Sequence, residues 1–285
     1  MTTFGTQERA VAASGGARLW AQAFGAAGDP PVLLVAGARA SMLCWPDGFC
    51  DGLAAAPRHV LRYDQRDTGR ATAYAPGRPP YGLEDLAADA AAVLDAYAVE
   101  RAHVAGMGMG GVVAQLVALE HPERVATLTA IGSTPLDAAR RALPAPAEPP
   151  ATEGAAGREE LAAALRREAR ACAGTRHPFD AAAAAALAER ELARAASPAS
   201  RANHALLRGG EQWHGRLARI TAPLLVIHGT ADPVLPHPHG VALARAVPGA
   251  DMLTIAGAGH ELHPGDRELM LRAIVRHTTP RRAAA

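Results

Sequence analysis

The sequence has little of the chemistry that marks several classes of protein. Its 29 Lys and Arg residues are balanced by 28 Asp and Glu residues, for a formal net charge of +1. A chain with neither a basic field nor an acidic tail lacks the electrostatic means to bind nucleic acid or a basic partner. Only three cysteines occur, Cys44, Cys50 and Cys172. Such a sparse, odd set argues against a disulfide framework and for a reducing compartment.

Signals for export or membrane insertion are also missing. Residues 1–9 lack the charged and then apolar order of a signal peptide. No apolar run approaches the roughly 20 residues of a membrane-spanning helix. We therefore expect a cytoplasmic protein that works without a membrane, as a monomer or a homodimer. With 285 residues, 49% of them hydrophobic, the chain can form one large domain or a domain with a lid.

Apolar runs and helical stretches alternate along most of the chain, after a hairpin at 7–24. This alternation predicts an α/β fold with a mostly parallel, twisted sheet flanked by helices. Expected strands lie at 32–36, 59–63, 101–106, 124–131, 223–228 and 251–255. Residues 158–212 hold no strand-like run, and a Pro-rich stretch at 144–150 precedes them. We therefore predict a core of residues 1–135 and 216–285 with a helical lid inserted at 136–215.

The stretch His103–Gln115 has the pattern strand, glycine-rich turn, helix. The spacing from Gly106 to Gly110 is that of the G-x-S-x-G nucleophile elbow, in which a sharp turn lifts a serine above the sheet. Here Gly108 stands at the position of the serine. The sequence therefore predicts the frame of a serine hydrolase with a vacant nucleophile position.

The same glycines also fit a dinucleotide-binding pattern. Gly106, Gly108 and Gly111 match G-x-G-x-x-G. Two features weigh against that alternative. The motif lies about a third of the way along the chain rather than in a first βαβ unit, and the following strand, which ends at 128–132, carries no acidic residue to bind a ribose.

Triad partners for the elbow occur downstream in the order that α/β hydrolases use. Asp232 follows the expected strand at 223–228, and His260 follows the one at 251–255. Both loops lie at the carboxyl ends of strands, where ligands bind in such sheets. We predict that Asp232 accepts a hydrogen bond from His260 and fixes its tautomer. The loop after the first core strand and the residue after the elbow position would supply the oxyanion N–H groups, which are those of Ala38 and Met109.

A family resemblance rests on motifs spread over nearly the whole chain. They are Leu33–Gly37, Ser41, Trp45–Asp47, Arg62–Arg70, Tyr81–Gly82, Leu86–Ala90, Arg101–Val104, Ala231–Pro233, Pro238–Gly240 and Gly259–His260. The chain resembles the aclacinomycin methylesterases of anthracycline biosynthesis, which belong to the α/β-hydrolase superfamily. The resemblance implies an aromatic polyketide as substrate, bound between sheet and lid. We expect no cofactor and no metal. Those enzymes cleave a methyl ester through a serine, and this chain departs from them at Gly108.

Candidate pocket residues come from the loop after the first core strand and from large side chains near the expected site. They are Gly37, Ser41, Trp45, Met107 and Trp213. For Trp45, Met107 and Trp213, packing in the core is an equal alternative. Cys44 lies near the same loop, but a small buried cysteine is the simpler interpretation than a replacement nucleophile. The charged loop Asp64–Arg70 is expected to brace the site through ion pairs.

A His–Asp pair without a serine still offers a positioned base, and the two N–H groups still offer an oxyanion pocket. Removing a proton from a phenol, or from a carbon beside a carbonyl, would permit cofactor-independent oxygenation, decarboxylation or related carbanion chemistry. The sequence favours this class. The alternatives are hydrolysis of a methyl ester by a His260-activated water, an esterase inactivated by Ser-to-Gly replacement at 108, and a non-catalytic ligand-binding homologue.

Overall fold

The computed structural model of the chain describes residues 7–142 and 154–279. The Pro-rich stretch at 144–150 lies outside these residues. Eight strands and eight α-helices occur in the described residues: β1 (Arg9–Ala12), β2 (Arg18–Phe24), β3 (Pro31–Val35), α1 (Asp47–Ala55), β4 (His59–Asp64), α2 (Leu83–Ala96), β5 (Ala102–Met107), α3 (Met109–Glu120), β6 (Val125–Ile131), α4 (Leu136–Ala142), α5 (Gly154–Cys172), α6 (Ala181–Arg194), β7 (Leu224–Gly229), α7 (Pro238–Ala246), β8 (Asp251–Ile255) and α8 (Arg267–His277).

All eight strands form one sheet in the order β1-β2-β4-β3-β5-β6-β7-β8. The hairpin strands β1 and β2 pair antiparallel, β2 pairs antiparallel with β4, and every later pairing is parallel. Strand order reverses between β3 and β5, so the loops that follow these two strands lie side by side at one edge of the sheet. This architecture confirms the predicted α/β fold.

Two apolar layers hold helices against the two faces of the sheet. One layer joins α2, α3 and α7 to the sheet through side chains such as Leu86, Val113 and Leu243. The other joins α1 and α8 through side chains such as Phe49 and Ile274. Helix α3 is buried along its whole length from Met109 to Leu119. A helix that is apolar all round is buried in the core. Because α3 is packed on all sides, it holds the turn at its N-terminus in place.

The first turn of α3 lies against the carboxyl end of β3. A Cβ atom at Gly110 would lie 2.3 Å from the carbonyl oxygen of Val35 and 2.4 Å from that of Ala36. Only a glycine permits this approach, because backbone atoms cannot move aside as a flexible side chain can. The contact brings the N-terminus of α3 beside the loop that follows β3.

Replacing Gly110 with alanine is expected to lower the free energy of unfolding by about 3 kcal/mol or more, because the new methyl group would overlap two backbone carbonyls. Urea denaturation of the variant measures this loss. Gly28→Ala is the matched control: a Cβ at Gly28 would meet nothing within 4 Å, so we expect a change within about 0.5 kcal/mol. A Gly110→Ala variant as stable as Gly28→Ala would contradict the packing argument.

Residues 136–215 connect β6 to its neighbour β7, and we call them the helical insertion. Their described part contains α4, α5 and α6, followed by 3-10 turns at Ser200–Leu206 and Glu211–Trp213, and it contains no strand. Helix α6 begins at an Asp180 cap, whose carboxylate accepts a hydrogen bond from the backbone N–H of Ala183. The lid role of this helical insertion stays a prediction from the sequence.

Two histidines have strongly lowered pKa values in the folded chain. Burial lowers the pKa of His103 on β5 and of His204 in the helical insertion to about 4. An unfolded histidine titrates near 6.5, about the ordinary value. Between these two values the unfolded chain binds protons that the folded chain does not. The free energy of unfolding therefore falls as the pH is lowered from about 6.5 to about 4.

We expect each of these two histidines to lower the free energy of unfolding by about 1.4 kcal/mol per pH unit within that window. Urea denaturation at pH 7.0, 5.5 and 4.5 measures the slope. A His204→Asn variant cannot take up one of the two protons when it unfolds and should show a shallower slope. A stability that stays constant from pH 6.5 to 4.5 in the unaltered chain would disprove the assignment.

Candidate active site

The elbow after β5 is built as the sequence predicts. Met107 ends the strand, Gly108 turns the chain with φ 53° and ψ −118°, and Met109 begins α3. The Gly108 N–H donates to the carbonyl oxygen of Ile131 (3.0 Å), and its carbonyl oxygen accepts from Ser133 Oγ (2.8 Å). A positive φ is strained for residues other than glycine. The turn is therefore fixed on both sides, and glycine occupies it without strain.

Asp232 and His260 meet at the carboxyl ends of β7 and β8. His260 Nδ1 lies 2.8 Å from Asp232 Oδ2. The other carboxylate oxygen, Oδ1, accepts from the backbone N–H groups of Val234 (2.9 Å) and Leu235 (2.8 Å). The Asp232 side chain is fully buried, whereas the His260 side chain is 14% exposed. The aspartate is thus held in place by its own loop and orients the imidazole.

The His260 ring faces the vacant nucleophile position. A carboxylate acceptor at Nδ1 places the ring proton there, so Nε2 retains its lone pair. That nitrogen lies 3.1 Å from the position that a Cβ atom on Gly108 would occupy. The structure therefore brings Gly108, Asp232 and His260 together, and the arrangement supplies a base without a hydroxyl between it and a bound substrate.

A second histidine, His228, lies beside Asp232, and the sequence did not predict it as part of the site. His228, on β7, lies with Nε2 2.7 Å from the carbonyl oxygen of Leu235 and 3.5 Å from Asp232 Oδ2. Its pKa is lowered, chiefly by burial, which favours the neutral ring. His228 therefore fixes the turn that positions Asp232. A polar residue at the end of an otherwise apolar strand is the only feature of the sequence that could have indicated this role.

Residues 36–42 follow β3 and lie against the elbow, and we call them the oxyanion loop after their predicted role. A Cβ atom at Gly37 would lie 3.4 Å from the carbonyl oxygen of Met107, and Ala38 is half-buried beside it. The backbone N–H of Met109 belongs to the first turn of α3, whose N–H groups have no partner within the helix. The two predicted donors, Ala38 and Met109, thus lie on adjoining segments at one edge of the sheet.

The charged loop after β4 anchors both ends of the oxyanion loop. Gln65 Nε2 donates to the carbonyl oxygen of Ala36 (2.8 Å), and Asp64 Oδ1 accepts from the backbone N–H of Met42 (2.9 Å). Ion pairs hold this anchoring loop in turn, with Arg66 paired to Asp89 at 2.8 Å and both side chains buried. The predicted bracing role of the loop is therefore visible in its contacts.

Two predicted pocket residues serve the core instead. Ser41 is fully buried, and its Oγ accepts from the backbone N–H of Leu43 (3.1 Å) at the start of a 3-10 turn. Trp45 is 0% exposed and packs on Phe49 with ring centroids 5.6 Å apart. The prediction that Trp45 lines the pocket is corrected, because the apolar layer under α1 encloses the whole indole.

Trp213 also lies away from the site. Its indole Nε1 donates to Glu120 Oε1 (3.2 Å) at the C-terminal end of α3. The elbow is at the other end of this 12-residue helix, roughly 16 Å away at 1.5 Å per residue. The prediction that Trp213 lines the pocket is therefore corrected. Met107 remains close to the site, since it lines a narrow apolar cavity that His260 and Met270 also border.

The cysteines near the site do not replace the serine. Burial raises the pKa of the Cys44 thiol to about 12 and that of Cys172 to about 11. Only a thiolate is a strong nucleophile, and both groups are thiols at neutral pH. Cys44 is half-buried, and its protonated thiol favours a packing role over that of a replacement nucleophile.

The helical insertion holds the loop that carries His260. The backbone N–H of His260 donates to the carbonyl oxygen of Cys172 at the end of α5 (2.8 Å). The N–H groups of Thr175 and Arg176 both donate to the carbonyl oxygen of Gly257 (2.7 and 2.8 Å). The position of His260 therefore depends on the insertion as well as on the sheet.

The described residues contain neither a metal-binding cluster nor a membrane-spanning helix. Residues 7–142 and 154–279 include no group of three or more His, Cys, Asp or Glu side chains placed to hold a metal ion. Within the same part of the chain, no helix is both long enough and apolar enough to cross a membrane.

The fold and the site define the class of this protein. The family model described as alpha/beta hydrolase fold matches residues 30–266, and the chain belongs to that family. The hydrolase structure from Pseudomonas aeruginosa PA01 is similar at a TM-score of 0.72 and 27% identity, covering 96% of this chain and 99% of that one. Esterase RhEst1 from Rhodococcus sp. ECU1013, at a TM-score of 0.75 and 24% identity over 96% and 100% of the two chains, supports the fold alone.

Two relatives that are similar in sequence over most of the chain are methylesterases. Rhodomycin D methylesterase DauP from Streptomyces sp. (strain C5) is 37% identical over 91% of this chain and 94% of its own length. Rhodomycin D methylesterase DnrP from Streptomyces peucetius is 36% identical over the same shares. The resemblance to anthracycline methylesterases that the sequence motifs indicate is thereby confirmed.

Proposed function

We propose that this chain is an enzyme acting on a polycyclic aromatic polyketide related to the anthracyclines, with His260 as a base that works without a serine. The names of the two methylesterase relatives support the substrate class. One observation carries the mechanism: His260 Nε2 lies 3.1 Å from the Cβ position of a glycine. Helices of the insertion at 136–215 would cover the bound substrate, as a lid.

The reaction best supported is hydrolysis of a carboxylic methyl ester by water. His260 takes a proton from the water, whose oxygen forms a bond to the ester carbonyl carbon. The N–H groups of Ala38 and Met109 stabilise the negative oxygen of the tetrahedral intermediate. Collapse of that intermediate breaks the bond to the methoxy group, which leaves as methanol with the proton from His260. The relatives favour this reaction over the carbanion chemistry that the sequence alone favours.

Cofactor-independent carbanion chemistry is the second candidate, and Gly108 is the observation that favours it. With no hydroxyl at the elbow, His260 can remove a proton directly from a phenol or from a carbon beside a carbonyl. The oxyanion pocket would then stabilise the enolate, whose carbon can form a bond to dioxygen and give a hydroperoxide once His260 returns the proton. In the decarboxylation alternative, a carboxylate beside the carbonyl leaves as carbon dioxide when its C–C bond breaks, and the enolate that remains is protonated by a protonated His260. The 2.8 Å contact between His260 and Asp232 supports either enzymatic function over that of a non-catalytic ligand-binding homologue.

Isotope labelling separates these reactions. The unaltered chain is incubated with an anthracycline methyl ester and, separately, with the corresponding free acid, in H2(18O) or under 18O2, and products are weighed by mass spectrometry. Hydrolysis predicts methanol and a carboxylate with one 18O from water. Oxygenation predicts label from dioxygen, and decarboxylation predicts a product lighter by carbon dioxide. An unchanged substrate in every arm would overturn the proposal and leave a disarmed esterase or a binding protein.

A further inference from the structure

We propose that the helical insertion completes the oxyanion pocket, and that His204 is the positioning residue through which it acts. His204 lies in the 3-10 turn Ser200–Leu206. It contacts the oxyanion loop at Arg39, the residue directly after the donor Ala38. This inference rests on the oxyanion role proposed for the Ala38 N–H and adds a residue that neither the elbow nor the His–Asp pair implies.

Both backbone groups of Arg39 are bound by this one turn. The Arg39 N–H donates to His204 Nδ1 (3.0 Å), and the Arg39 carbonyl oxygen accepts from Arg201 Nε (2.9 Å). Arg39 has a φ of 64°, a left-handed conformation that costs an ordinary residue about 1 kcal/mol or more. External hydrogen bonds are needed to hold such a residue. The Arg39 N–H belongs to the peptide group that joins Ala38 to Arg39. Fixing Arg39 therefore fixes the plane of that peptide group and orients the carbonyl end of Ala38, the residue whose N–H is the proposed donor.

The ring of His204 is itself held in one state. It is 1% exposed, and its Nε2 lies 2.7 Å from the carbonyl oxygen of Arg66, so Nε2 carries the proton and donates. Nδ1 is then an acceptor, which is what the Arg39 N–H requires. Burial keeps the ring neutral at neutral pH by lowering its pKa to about 4. In a protonated His204 ring, Nδ1 would carry a hydrogen and would face the Arg39 N–H, so that neither group could accept.

The turn is also fixed to the loop that anchors the oxyanion loop. Asn203 Nδ2 donates to Asp67 Oδ2 (2.9 Å), and Ser200 Oγ donates to the Asp67 carbonyl oxygen (3.2 Å). A carboxylate of α5, that of Glu168, pairs with Arg201 at 2.8 Å and with Arg39 at 3.4 Å. The helical insertion thus binds the oxyanion loop at its middle, at Arg39, while the loop after β4 binds its two ends, at Ala36 and Met42.

Two substitutions at His204 separate positioning from packing. The amide of asparagine ends where Nδ1 lies, so His204→Asn can still accept from the Arg39 N–H. The amide of glutamine reaches the place of Nε2, so His204→Gln can still donate to the Arg66 carbonyl but cannot accept from Arg39. Both variants shorten or reshape the same buried ring and lose one hydrogen bond, so they should lose similar stability.

The test places both variants in the Gly108→Ser background and uses p-nitrophenyl acetate, which makes the readout independent of the natural substrate. We expect His204→Gln to lower kcat about 10²-fold with little change in KM, because small misplacement of a catalytic group costs about that factor. His204→Asn should recover most of the rate. Hydrogen exchange at the Arg39 amide, followed by NMR on the glycine-containing chain, should be fast in His204→Gln and slow in His204→Asn.

Equal loss of rate and equal exchange in the two variants would show that His204 only packs, and would overturn the inference. The exchange measurement needs no turnover, so it decides the positioning role even if the serine background is slow. Failure of the glycine-containing chain to convert an anthracycline would refute the proposed function and leave this result unchanged.

Discussion

Replacing Gly108 with serine is expected to raise the rate of methyl ester hydrolysis by about 10³-fold or more, since losing a triad member costs at least that factor in serine hydrolases. A Cβ atom at position 108 lies 3.1 Å from His260 Nε2. The hydroxyl on that carbon reaches hydrogen-bond distance of the base after a shift of a few tenths of an ångström in the ring. The rate of methanol release from an anthracycline methyl ester measures the gain.

Gly108→Ala is the control for this substitution. Alanine meets the same positive φ as serine, so both variants should lose about 1–2 kcal/mol of unfolding free energy. Alanine lacks the hydroxyl and should bring no gain in rate. A serine variant that hydrolyses the ester no faster than the alanine variant would show that the elbow is not arranged for a nucleophile.

Replacing Asp232 with asparagine is expected to lower turnover about 10³- to 10⁴-fold with the fold intact, as the general behaviour of such triads indicates. The oxygen of the amide would keep the two N–H bonds from Val234 and Leu235. Its NH2 group would then face His260 Nδ1, which must accept. The ring proton moves to Nε2, and His260 can no longer act as a base towards the elbow.

The fall should appear in kcat, with the urea midpoint close to that of the unaltered chain. Asp95→Asn supplies a matched control at the surface, where the side chain is 67% exposed and pairs with Arg124; turnover should not change. Should Asp232→Asn retain more than a tenth of the rate, the tautomer argument for His260 fails.

Most of the fold can be predicted from local patterns in the sequence. Buried strands such as β3 and β7 show as short apolar runs because both faces of a parallel sheet are covered. The elbow and the loops that carry Asp232 and His260 follow strands directly, so topology alone places Gly108, Asp232 and His260 at one edge of the sheet. The His–Asp contact at 2.8 Å follows from that placement.

Contacts made across long stretches of chain were beyond prediction. His204 binds Arg39 from 165 residues away, and no periodicity marks a polar residue in a short 3-10 turn. The two tryptophans show the opposite problem. Aromatic residues suit a core as well as a pocket, and only the packing of Phe49 on Trp45 and the Glu120 contact of Trp213 separate the two uses.

We propose above all that His260 acts as a base, without a serine, in the chain as it stands. Consumption of an anthracycline methyl ester by the unaltered chain, followed by liquid chromatography and mass spectrometry, tests it against a His260→Ala variant of equal urea midpoint. We expect product from the unaltered chain and a rate at the level of the buffer blank for His260→Ala. Equal rates for the two proteins, or product from the Gly108→Ser variant alone, would contradict it.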